Sequence, residues 1–128
     1  MIMLIVDAKQ TVQPPWGDPL VDVHTDQFRD SYSRLERLQP DVRPEEFAEA
    51  QNFASFLCDA SRQIIYRLNR ATPDQVEELI RCFRRAAESI QKWKLAKFDA
   101  QEAELVQNYA KHIEDRAQRL EARLRASK

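Results

Sequence analysis

Gly17 is the only glycine in 128 residues, and that scarcity closes off most of what a chain of this length could otherwise become. Left-handed backbone positions and tight turns are where glycine is the default residue. Phosphate-binding loops need it so that backbone N–H groups can approach the anion, so the common nucleotide-binding architectures are excluded. No G-x-S-x-G elbow occurs, and His24 and His112 are the only histidines, which leaves few candidates for general acid–base work. With 32% charged residues and abundant Ala, Leu, Glu, Gln and Arg, the composition favours helix, because those side chains lose little on entering one.

The stretch from Thr72 to Phe98 organises the rest. Thr72-Pro73-Asp74 reads as a helix start: a hydroxyl that can accept from an orphan N–H, then a proline where no donor is needed. Val76, Leu79, Ile80, Phe83, Ala87 and Ile90 recur at three- and four-residue spacing and make one apolar face. Upstream, two prolines in Gln39-Pro40-Asp41-Val42-Arg43-Pro44 separate a first helix, 26–38, from a second that starts at Pro44 and runs to about Arg70. The second helix carries Phe47, Ala50, Ala54, Leu57, Ile64 and Leu68, widened by Phe53, Phe56, Ala60 and Ile65. So broad an apolar surface predicts a central helix covered on more than one side. The short join at Arg70–Thr72 predicts that 44–70 and 73–98 form an antiparallel hairpin at the centre of the domain. Asp99 with Glu102 reads as a capping box opening a fourth helix, with either a turn near Asp99, the favoured reading, or one continuous helix from 73 onward.

The expectation is an all-α bundle of about four helices over 25–128, preceded by an extended arm over 1–24. In the arm, Ile2-Met3-Leu4-Ile5-Val6 and Leu20-Val21-Asp22-Val23 are β-favouring runs around a Pro14-Pro15-Trp16-Gly17-Asp18-Pro19 turn. Met1–Val6 is too short to span a membrane and lacks the flanks of a leader peptide, so the expected location is cytoplasmic. Asp22-Val23-His24-Thr25-Asp26 is too weak a pattern for a metal site. Cys58 and Cys82 are too few for a disulfide framework. No metal or cofactor is expected.

Two functional classes follow. In the first, the chain is a non-enzymatic interaction protein: an adaptor, small assembly subunit or inhibitor that binds another protein or itself, as a homodimer for instance. Val106, Tyr109, Ile113, Ala117, Leu120 and Leu124 form a narrow stripe on the last helix, flanked by charges like a coiled-coil seam. The expected contacts are Trp16 in the arm and Tyr109, Ile113, Leu120 and Leu124 on that helix; the alternative is that the helix packs on its own domain and the arm across the bundle. In the second, Arg81, Arg84, Arg85 and Lys92 on the third helix contact nucleic-acid phosphates. Against this stands a net charge of −1, which offers no general attraction to polyanions. The simpler role for those cations is i,i+4 pairing, as in Glu77–Arg81 and Glu88–Lys92. The same spacing pairs Asp115 with Arg119 and Glu121 with Arg125.

Overall fold

The computed structural model describes residues 19–38 and 40–126. Among them are four α-helices: α1 (Pro19–Glu36), α2 (Phe47–Ile65), α3 (Pro73–Gln91) and α4 (Ala100–Ala126), with 3₁₀ turns at Pro44–Glu46 and Leu68–Arg70 and no strand. The chain is an all-α bundle, as its composition implies. Residues 1–18, including the first apolar run and Trp16, lie outside the described residues. Residues 19–24, expected to extend the arm, instead form the start of α1. Pro19 supplies the first helical position and Asp22 the first-turn acid. The Thr25 hydroxyl donates back to the Val21 carbonyl at 2.7 Å, and Val21 and Thr25 are buried one turn above the other. Burial of Val21 overrides its weak β preference, and Val23, 48% exposed, is carried along in the same helix.

The start of α3 follows the local rules. Gln75 N–H donates to the Thr72 hydroxyl at 3.2 Å, and the Gln75 side chain accepts from Thr72 N–H at 3.1 Å, so the cap is reciprocal. Every residue of the expected apolar face, from Val76 to Ile90, is buried. The helix stops at Gln91 rather than Phe98, because Trp93 and Leu95 are buried and Lys94 N–H donates to the Pro40 carbonyl at 2.7 Å. Those contacts are incompatible with a continued helix. The chain does turn before α4, where the Asp99 carboxylate accepts from the N–H groups of Gln101 and Glu102 at 2.9 and 3.3 Å.

Pairings between helices fix the arrangement. Asp22 meets Gln75, Arg29 meets Glu78 and Glu36 meets Arg85; partner numbers rise together, so α1 and α3 are parallel neighbours. Cys58 meets Arg116 and Leu68 meets Arg123, which makes α2 and α4 parallel neighbours in the same way. Between α3 and α4 the partners run in opposite order, Ile90 with Gln107 and Arg84 with Glu114 and Glu121. Around the bundle the order is α1, α2, α4, α3, and α2 scarcely touches α3. The expected central hairpin is therefore a pair of consecutive helices on opposite corners, with the turn 66–72 carrying the chain diagonally across one end. α2 is a corner helix, covered by α1 and α4 on two sides only.

One core runs through all four helices. Phe28 packs on Phe83 with ring centroids 4.9 Å apart, and Leu35, Leu57, Leu79, Val106 and Ile113 are fully buried around them. Leu38, Val42, Trp93 and Leu95 close one end, where Phe47 stacks on Phe98 at 4.4 Å. No helix among the described residues is long and apolar enough to cross a membrane.

Candidate interaction surface

The last helix does not present the surface that its periodicity suggested. Ile113 is 0% and Leu120 2% exposed, together with buried Val106, Ala110 and Ala117. Tyr109 and Leu124 are half-buried and pack against the same core. A single subunit thus covers the α4 stripe with its own α2 and α3, and the four residues expected to contact a partner are core or its margin. Trp16, the remaining member of that set, lies outside the described residues. Periodicity identifies an apolar face, but it does not say whose residues cover it.

The basic face of α3 is divided among several neighbours. Arg81 pairs with Glu78 at 2.6 Å rather than with Glu77. Arg84 reaches across to α4, 2.8 Å from Glu121 and 3.4 Å from Glu114, and its guanidinium holds the Glu121 carboxyl below the usual carboxylate range. Arg85 turns the other way, 3.1 Å from Glu36 and over the Tyr32 ring at 5.2 Å. Lys92 is exposed and lines a small hollow with Glu36, Ser89 and Trp93. Three guanidiniums are thus matched by carboxylates on α1, α3 and α4, and the four cations do not form a continuous positive stripe. On α4, Asp115–Arg119 pairs at 3.0 Å and Glu121–Arg125 at 3.9 Å.

An open surface with an exposed ring lies between α1 and α2. Phe56 is 51% exposed at its middle, with half-buried Phe53 one turn earlier. On one side of Phe56 is a hollow of roughly 320 Å³ lined by Ser31, Arg34, Glu49, Asn52 and Phe53. On the other is one of roughly 240 Å³ floored by Phe28, Ala60 and Ile64 and rimmed by His24, Gln27, Gln63 and Arg67. The α2 positions 49, 52, 53, 56, 60 and 63 fall within about 100° of arc at 100° per residue, so they share one face, and Arg67, in the turn after α2, rims the second hollow beside it. That face is the one left uncovered by the corner position of α2. Arg34, Glu49 and Arg67 make no ion pair among the described residues, in contrast to Arg29, Arg84 and Arg85.

Among the described residues, no group of three or more His, Cys, Asp or Glu side chains is placed to hold a metal. The width of the α2 stripe was the sequence signal for this face, since Phe53, Phe56 and Ala60 exceed what one neighbouring helix can bury. Comparison of the chain with protein-family models, with curated proteins and with solved structures finds no match.

Proposed function

We propose that this chain is a non-enzymatic protein-interaction domain whose contact surface is the α1–α2 face around Phe56. The observation that carries the reading is an aromatic side chain 51% exposed between two hollows, on a protein that otherwise buries its phenylalanines wholly or partly. A lone exposed apolar residue is ordinary. An exposed ring flanked by a second ring and by concave, partly polar walls resembles the buried anchor and polar rim of an interface. The expected work of the C-terminal helix thus moves to the α1–α2 side of the bundle.

The test is photocrosslinking in the cells that make the protein. A photoreactive residue replaces Phe56 in one variant and exposed Lys111 of α4 in a control. Protein adducts at position 56 and not at 111 are the expected result. Equal labelling at the two positions, or no protein adduct at 56, would contradict the proposal.

A further inference from the structure

We infer that the α1–α2 face pairs with a second copy of itself, α2 lying antiparallel on the partner's α2 about a two-fold axis near Cys58. This inference rests on the proposed contact surface and names its occupant. An isologous contact requires a self-complementary face, in which each feature meets its complement when the face is turned by half a rotation. Three positions of α2 and one in the turn that follows it satisfy that condition. Glu49 and Arg67 lie nine residues to either side of Cys58, and Phe56 and Ala60 lie two residues to either side. Glu49 lines the hollow on one side of Phe56, and Arg67, in the turn just past the end of α2, rims the hollow on the other, so opposite charges stand at the two ends of the face.

Turned about Cys58, each Glu49 comes opposite the partner's Arg67, and each Phe56 opposite the partner's Ala60. The shapes agree as well as the charges. Ala60 floors the roughly 240 Å³ hollow, and an apolar cavity of ~150 Å³ already admits benzene, so that hollow can receive a phenyl ring. Phe56 is the exposed ring beside it. Two knobs thus fill two holes, and two carboxylate–guanidinium pairs close the ends, using charges that have no ion-pair partner among the described residues of one subunit.

Sedimentation of the whole chain over a concentration series tests the pairing, with circular dichroism confirming that each variant is folded. The wild type is expected to pass from monomer to dimer. E49R and R67E each place two like-charged contacts in the dimer and should weaken it by about tenfold or more. The double variant E49R/R67E should regain wild-type association, as should an equimolar mixture of the two single variants, in which both contacts become opposite in sign. F56D should be monomeric. A wild type that stays monomeric to ~1 mM, or charge variants whose effects are not reversed by combination, would overturn the pairing. A monomer in the centrifuge together with a crosslink from position 56 to a different polypeptide would reject this occupant and leave the proposed contact surface standing; no protein crosslink there would reject both.

Discussion

The guanidinium of Arg116 reaches from α4 into the side of α2 and donates to the Cys58 carbonyl at 2.8 Å. The same nitrogen lies 2.9 Å from the Ser61 hydroxyl and 3.2 Å from the Cys58 sulfur. Ser61 is fully buried and itself donates to the Cys58 carbonyl at 2.7 Å. One charged donor therefore fastens the two parallel helices at the point where a polar side chain enters the core. Hydrogen bonds to charged groups contribute more than neutral ones. Arg116→Met keeps most of the stem packing and removes the donor, so it should destabilise the bundle by ~1–3 kcal/mol. Denaturant titration of the two proteins measures the difference, and equal midpoints would show that the contact is dispensable.

A second seam makes stability depend on pH. Arg81 and Arg29 both donate to the Glu78 carboxylate, and the hydrogen bond from Arg81, with that from Arg29, holds its carboxyl below the usual range against the opposing effect of burial. Because the folded value is depressed, its contribution is present above the unfolded carboxylate value and is lost as pH falls through the folded one. Cys82 beside it goes the other way: burial and then the Glu78 charge push the thiol up to about 11. The folded state therefore holds that proton more tightly, and stability falls as pH rises from about 9, the ordinary thiol value, toward about 11. Thermal midpoints across pH should fall on both sides, and Glu78→Gln should flatten the acid side. An unchanged acid profile in that variant would remove Glu78 from the account.

The fate of Arg84 bears on nucleic-acid binding. Its guanidinium spans Glu114 and Glu121, and Arg81 and Arg85 are matched in similar fashion. Generic duplex and single-stranded probes should not be retarded by this protein even at low salt. Retardation that weakens steeply with added salt, as counterion release requires, would reverse that expectation.

Local features of the fold were readable and non-local ones were not. The Thr72 cap and the Asp99 cap depend on residues three apart or fewer, and the α3 stripe on simple periodicity, so all were legible. The early start of α1 was not, because Val21 and Val23 favour strands until Val21 is buried against other helices. Trp93 and Leu95 contain no helix breaker; the break there comes from the distant Pro40 carbonyl and from burial. The order of helices depends on pairs such as Arg29–Glu78 and Glu36–Arg85, 49 residues apart, for which a single sequence gives no signal. For the same reason Ile113 and Phe56 look alike in sequence, although one is sealed in the core and the other faces solvent.

That contrast allows the most direct test: thermal unfolding of Phe56→Asp and Leu120→Asp, measured side by side at a concentration that keeps both monomeric. A carboxylate at exposed Phe56 should change the midpoint by no more than about 3 °C, as expected for a surface substitution in a domain of this size. At Leu120, 2% exposed, it would be buried without a partner and should abolish the cooperative transition. A stable Leu120→Asp protein beside an unfolded Phe56→Asp one would contradict the account, placing the free face on α4 and the core where the groove is drawn.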